Sequence, residues 1–372
     1  ARLLPAGVPS FLAESLATDG DATELPAPPT AGSLVLLTSG TTGTPKGAPR
    51  QIRSPLAAAQ FLDRIPLRPG GSTFLAAPTF HGTGLSQLVL TFALGSAAVL
   101  HRRFDARATL AGIAAHRCTA LVVVPTMLRR IMDLPDAVRA EYDTSSLRVL
   151  FSAGSALGAD LGNRATAAFG PVIHNLYGST EVAVATVATP QDWQAAPGTV
   201  GRPPCGCTVR LYDEAGQPVT EVGRPGRIFA GSSLAFGGYS GGGNKEIIDG
   251  LLSTGDIGHV DAAGRLFVDG RDDDMIVSGG ENVFPGEIEE LLAAHADVIE
   301  AAVIGVPDEE FGHRLRAFVV LRAGIAQDAD LLRAHVKAHL ARYKVPREVI
   351  FLDELPRNAT GKLFRHKLRE YV

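Results

Sequence analysis

The densest run of chemically capable residues is Thr38-Ser39-Gly40-Thr41-Thr42-Gly43-Thr44-Pro45-Lys46-Gly47, which directly follows a short apolar stretch. Hydroxyls, glycine backbone N–H groups and one lysine at this spacing suit the wrapping of a polyphosphate. The run departs from the P-loop, because Pro45 precedes the lysine and Gly47 stands where a magnesium-binding Ser or Thr belongs. A flexible surface loop is the bland alternative, and it leaves this concentration of small polar residues without a packing reason. Further runs stand out downstream: Asn175-Leu176-Tyr177-Gly178-Ser179-Thr180-Glu181, Ser253-Thr254-Gly255-Asp256, Gly270-Arg271-Asp272-Asp273-Asp274-Met275-Ile276 and Pro356-Arg357-Asn358-Ala359-Thr360-Gly361-Lys362.

Taken in order, these runs resemble the signature of the adenylate-forming superfamily of acyl-CoA ligases, luciferases and peptide-synthetase adenylation domains, and the resemblance extends from Leu34 to the C-terminus. It implies that a carboxylic acid is activated with ATP to an acyl-AMP, releasing pyrophosphate, and then passed to coenzyme A, releasing AMP. Attack of a carboxylate on the α-phosphate brings two anions together, so the site needs Mg²⁺ and a cation where charge develops. By resemblance, Glu181 holds Mg²⁺, Thr180 touches the α-phosphate and Lys362 bridges the acid and the α-phosphate. Thr38, Ser39, Gly40, Thr41, Thr42, Gly43 and Lys46 hold the remaining phosphates. Tyr177 offers a flat face to adenine, with Gly154 and Ser155 on its other side and Asn175 and Gly178 completing the slot. Asp256 and Arg271 take the ribose hydroxyls, although Asp256 read alone is a turn former.

The same resemblance places a hinge at Asp273, within an acidic run that otherwise reads as solvated, and the border of a pantetheine tunnel at Gly279 and Gly280. His81, in Pro78-Thr79-Phe80-His81-Gly82, gates the thiol entrance by resemblance; a lone His in an apolar setting is otherwise structural. Leu85 to Leu94, with Ala183 and Ala185, is apolar or small and offers no Asp for a substrate ammonium, which favours an apolar fatty or aryl acid over an amino acid. Around the motifs the wording is closest to bacterial medium- and long-chain fatty-acyl-CoA ligases. Two alternatives share the adenylation residues. One is an acyl-AMP ligase loading an acyl carrier protein; the other is a catalytically silent adenylate-binding module, which would not need Lys362 and Glu181 together. Lysine is scarce, at Lys46, Lys245, Lys337, Lys344, Lys362 and Lys367 amid many arginines, so its retention at two motif positions points to a need for a point charge rather than a fork.

The elements that must position these residues follow from short apolar runs ending in Gly, Ser, Pro or Thr: Leu34 to Leu37, Leu121 to Val124, Val149 to Phe151 and Val172 to Leu176. With helical patterns over Pro55 to Arg64, Ala106 to His116, Thr126 to Leu134 and Ala159 to Phe169, they predict an α/β region with a mainly parallel sheet and its ligand beyond the strand carboxyl ends. Residues 1–32 read as a leader or linker and 33–271 as an N-terminal adenylation domain, whose β subdomain spans about 198–270. Residues 272–372 read as a small, mobile α+β C-terminal lid, the whole being acetyl-CoA synthetase-like by resemblance. A helix is expected at Pro285 to Ala294, with strands at Ala301 to Gly305 and Leu315 to Leu321.

The 372 residues, 45% of them hydrophobic, are enough for a sizeable core. A net charge of −4 without a basic or acidic block calls for neither nucleic acid nor an anionic membrane, and a small-molecule partner fits better. No apolar run approaches a membrane span, and Ala1 to Asp21 lacks the pattern of a signal peptide. Cys118, Cys205 and Cys207 read as reduced, which with these features predicts a cytoplasmic protein. The family carries a longer segment ahead of its phosphate loop and this chain does not open with Met, so more of the fold is expected upstream; without it, an exposed sheet edge would invite homodimerisation.

Overall fold

The computed structural model describes residues 34–38, 46–50, 62–239, 244–272, 274–278, 280–309, 311–357 and 363–371. Strands β1 (Leu34–Thr38) and β2 (Lys46–Arg50) flank the Thr/Gly run and pair as a two-stranded sheet. This corrects the expectation that Leu34 to Leu37 joins the parallel strands: its apolar run suits any buried strand, and pairing partners are not written in composition.

The main sheet has six strands: β3 (Ser72–Leu75), β4 (Ala97–Leu100), β5 (Ala120–Val123), β6 (Val149–Ser152), β7 (Ile173–Tyr177) and β8 (Thr186–Ala188), in the order β4-β3-β5-β6-β7-β8. All neighbours are parallel except β7 and β8, which run antiparallel. Every residue of β5 and of β6 is buried, as a parallel sheet covered on both faces requires. Successive residues part to opposite faces. Phe74, Leu121 and Leu150 join one core, and Leu75, Val122 and Phe151 join the other.

The first core is covered by α2 (Ala106–Ala115), α3 (Pro125–Met132) and α4 (Ala159–Phe169), while α1 (Gly82–Ala93) brings Leu88 to the second. Asp105 starts α2 by accepting the Ala108 N–H at 2.7 Å, and α3 opens with Pro125, whose missing N–H costs nothing there. A short helix α5 (Pro190–Ala195) follows β8 and carries Trp193 into the first core, where a methyl group at Gly162 would lie 2.0 Å from the indole. Arg64 ties this corner together, donating to the Val187 carbonyl at 2.8 Å and to Asp192 at 2.5 Å. Strands β3 and β4 were not anticipated: each has only two large apolar residues, Phe74 and Leu75 in one and Val99 and Leu100 in the other. The run Leu85 to Leu94, read only as a pocket wall, is part of α1.

Beyond Val200 lies a five-stranded antiparallel sheet of β9 (Thr208–Tyr212), β10 (Gly226–Gly231), β11 (Ile247–Ile248), β12 (Leu251–Val260) and β13 (Leu266–Arg271). A hairpin of β14 (Ile276–Ser278) and β15 (Glu281–Val283) comes next, then α6 (Pro285–Ala293). Strands β16 (Val298–Asp308), β17 (Gly312–Leu321) and β18 (Glu348–Phe351) form a three-stranded sheet. Its core residues Val303, Leu315 and Val319 pack with Ile288 and Leu292 of α6 and with Leu332 and Val336 of α7 (Ala329–His339).

Candidate active site

Parallel pairing of Ser152 with Asn175 puts the carboxyl ends of β6 and β7 side by side, so the loop through Gly154 and Ser155 borders the end of β7. Gly154 takes φ +96°, a left-handed conformation that bends the exposed loop at that point. Asn175 is buried, and its amide donates to the Thr199 carbonyl at 3.3 Å; it fixes the loop beyond β8. Gly178 follows Tyr177, and a methyl group there would sit 2.1 Å from the Ala183 carbonyl oxygen, so only glycine fits this turn.

Tyr177 crosses to the second sheet. Its hydroxyl donates to Asp256 Oδ2 at 2.5 Å, and burial, followed by the Asp256 charge, pushes the phenol well above its ordinary range. Asp256 and Arg271 are opposite each other in the β12/β13 register, with Arg271 Nε 3.6 Å from Asp256 Oδ1. Asp256 is thus held between a phenol hydroxyl and a guanidinium where β7 meets the second sheet.

Glu181 is half-buried. Burial alone would raise its carboxyl, yet the Tyr239 hydroxyl, donating at 2.6 Å to Oε1, Ser179 and the charge of Lys245 together hold it below the usual carboxylate range. Ser179 Oγ accepts the Glu181 N–H at 3.2 Å and orients the turn. Glu181 is thus an ionised, pre-oriented acceptor. Among the described residues no group of three or more His, Cys, Asp or Glu side chains is placed to hold a metal ion. One carboxylate suits Mg²⁺ nonetheless, because that ion keeps much of its shell as water and substrate phosphate.

His81 is the N-cap of α1. Its Nε2 is buried without a hydrogen-bond partner, and burial lowers its pKa, so the imidazole is neutral near pH 7. Phe80 beside it is 71% exposed, with its ring centroid 5.2 Å from that of His81. Gly280 forms the β14–β15 turn at φ +84°, with nothing within 4 Å of the space a side chain would take.

The structure therefore brings Tyr177, Asp256 and Arg271 together across the two sheets, pairs Glu181 with Tyr239, and sets the end of β6, ahead of Gly154 and Ser155, beside β7. Ser39, Gly40, Thr41, Thr42, Gly43, Asp273, Gly279 and Lys362 lie outside the described residues, and Thr38 and Lys46 are described only as parts of β1 and β2. Two residues escaped the sequence reading. Tyr239 reaches Glu181 from 58 residues away, and the Lys245 ammonium lies near Gly255; both sit in the glycine-rich run Gly237 to Glu246, the signal that could have found them.

The AMP-binding enzyme family matches residues 6–240, and the AMP-binding enzyme C-terminal domain matches residues 287–362. An indoleacetate–CoA ligase of Aromatoleum aromaticum is 37% identical over 346 residues, covering 91% of this chain and 67% of that protein. A sulfoacetate–CoA ligase of Cupriavidus necator is 37% identical over 96% of this chain and 70% of its own length. A 2-succinylbenzoate–CoA ligase of Bacillus pumilus is 36% identical over 90% and 68%. Among solved structures, ATP-bound MatB from Rhodopseudomonas palustris superposes with a TM-score of 0.81 at 32% identity, covering 90% of this chain and 67% of that one. On these grounds, and with the acetyl-CoA synthetase-like arrangement of its sheets, the chain belongs to the AMP-binding enzyme family.

Proposed function

We propose that this protein is an AMP-forming acid–CoA ligase: it joins a carboxylic acid to AMP at the expense of ATP and then transfers the acyl group to coenzyme A. The observation that carries the reading is the Tyr177–Asp256–Arg271 cluster that joins the two sheets, supported by the ionised Glu181 held by Tyr239. Asp256 is assigned to the ribose hydroxyls, and Tyr177, anchored through its hydroxyl, offers a ring face for adenine. Glu181, with Thr180 next to it, is the residue we assign to Mg²⁺, which when bound would offset negative charge on the phosphates. Lys46 and the Thr/Gly run are assigned to the phosphates, and Lys362 to the charge developing as the acid attacks. Asp273 is assigned as the hinge of the C-terminal lid, Gly279 and Gly280 as the border of the thiol tunnel and His81 as its gate, a role its neutral, half-buried imidazole suits.

The acid is best sought among aryl and other compact acids. The relatives above are named for indoleacetate, sulfoacetate and 2-succinylbenzoate, and a feruloyl-CoA synthase of Amycolatopsis is 35% identical over 95% of this chain. A fatty acid is the narrower expectation from the motif wording and belongs in the same panel. Three free thiols accord with a cytoplasmic setting. The test is mass spectrometry of products after incubation with ATP, Mg²⁺, coenzyme A and a panel of aryl, indolyl and fatty acids. Acyl-CoA with AMP is the expected result; acyl-AMP accumulating without acyl-CoA would replace coenzyme A by a carrier protein, and absence of both would overturn the reading.

A further inference from the structure

We propose that Lys245, which stands outside the motif runs, is an ATP-binding residue whose ammonium takes a phosphoryl oxygen of the nucleotide; the proposal rests on the ligase reading for the location of the nucleotide. The geometry begins at Gly255, which adopts φ +79° on β12 immediately before Asp256. A methyl group at Gly255 would come to 3.3 Å from Arg271 Nη2 and 3.7 Å from Lys245 Nζ. Two cationic heads therefore share one space, and the absence of a side chain at Gly255 leaves it open. Arg271 is paired with Asp256, and the Lys245 ammonium adds a second positive charge at the edge of that pair, which favours an anion there.

The position selects the anion. One side of the space is Asp256, the carboxylate assigned to the ribose, and the charge of Lys245 also reaches Glu181, the carboxylate assigned to Mg²⁺. A group lying between ribose and metal is a phosphate. Lysine, a compact point charge on a flexible stem, suits a phosphoryl oxygen that changes position as pyrophosphate leaves.

The chain that follows Lys245 is tied to the second sheet. The Lys245 N–H donates to Asn244 Oδ1 at 2.9 Å, and the carbonyl of Glu246 accepts the Ser253 N–H of β12 at 2.9 Å. The Glu246 carboxylate is clipped to Arg227 of β10, whose Nε is also 3.8 Å from Asp272. A lysine serving only solubility would not need such an anchor.

The experiment is isothermal titration calorimetry of MgATP, adenosine and coenzyme A with the wild-type chain, Lys245→Met and Lys245→Arg. Lys245→Met is expected to weaken MgATP about tenfold, the scale of one charge-assisted hydrogen bond, while leaving adenosine and coenzyme A unchanged, and Lys245→Arg to recover most of the loss. Unchanged MgATP affinity overturns the proposal, as does equal weakening of adenosine, which would mark a structural role. Weakened coenzyme A with MgATP intact also overturns it, by moving the cation to the phosphates of the thiol substrate. Acid-dependent exchange of pyrophosphate into ATP by the wild-type chain is measured in parallel. Its absence alongside a Lys245 effect on MgATP binding would sink the ligase reading and leave the phosphate contact standing.

Discussion

Glu181 must be ionised to act as assigned, and the pairing with Tyr239 makes this a question of pH. Burial opposes its charge, while the Tyr239 hydroxyl, Ser179 and Lys245 favour it and prevail. Its folded-state pKa lies below the ordinary carboxylate value, so the stabilisation it lends to the fold is complete above the unfolded pKa and is lost as pH falls through the folded one. Tyr239→Phe removes a 2.6 Å hydrogen bond from the charged form and is expected to move the acid limb of acyl-AMP formation to higher pH. A pH profile of pyrophosphate exchange checks this; an unmoved acid limb would detach Glu181 from that titration. Lys362→Ala is expected to abolish acyl-AMP formation yet spare thioester formation from supplied acyl-AMP, and equal loss of both would end its assignment to the first step. At this scale Tyr177, Glu181, Asp256 and Arg271 were singled out because each sits in a run that resembles the family signature, although Asp256 alone reads as a turn former. Tyr239 was not, since its meaning lies in a partner 58 residues distant.

Elements position these groups through packing that tolerates little change. The α4 helix approaches Trp193 at Gly162, and the indole N–H donates to Asn163 at 3.2 Å, so the ring cannot withdraw freely. Gly162→Ala is expected to destabilise the fold by about 2 kcal/mol through overpacking, despite alanine's better helix propensity. Gly286, in α6, has nothing within 4 Å of its vacant position, and Gly286→Ala is expected to be neutral or slightly stabilising. Urea midpoints of both variants test the contrast, which fails if the two shift alike. Strands β5 and β6 were readable from runs of Val, Leu and Phe, and β7 from its flanking Val, Ile and Leu, whereas β3 and β4 were not, because Ser72-Thr73 and Ala97-Ala98 carry half of each strand and strand character there comes from neighbours already in the sheet. Likewise α1 carries Gly82 and Gly84, residues that argue against a helix locally. Gly84 is required by packing all the same, since a methyl group would meet the Pro78 carbonyl oxygen at 2.2 Å.

For the whole molecule, the two half-reactions need different surroundings at one adenylate, and the C-terminal residues are the part assigned to change them. Gly279→Leu is expected to leave acyl-AMP formation within about twofold and to lower the thioester rate more than tenfold, on the scale of a steric block in a substrate channel. Single-turnover rates of each half-reaction measure it, and unchanged acyl-CoA output would remove Gly279 from the tunnel. By itself the sequence determined the family, the order of the motifs and the parallel α/β character of the first region, because those depend on local residue type and on short-range periodicity. Only the tertiary structure decided that β1 pairs with β2 outside the main sheet, that the β12/β13 register sets Asp256 opposite Arg271, and that Tyr239 and Lys245 converge on Glu181 and Gly255. The physical reason is one of range. Hydrophobic patterning acts between residues a few positions apart, whereas the charge and hydrogen bonding of this site are set by groups that the chain brings together from tens of residues away.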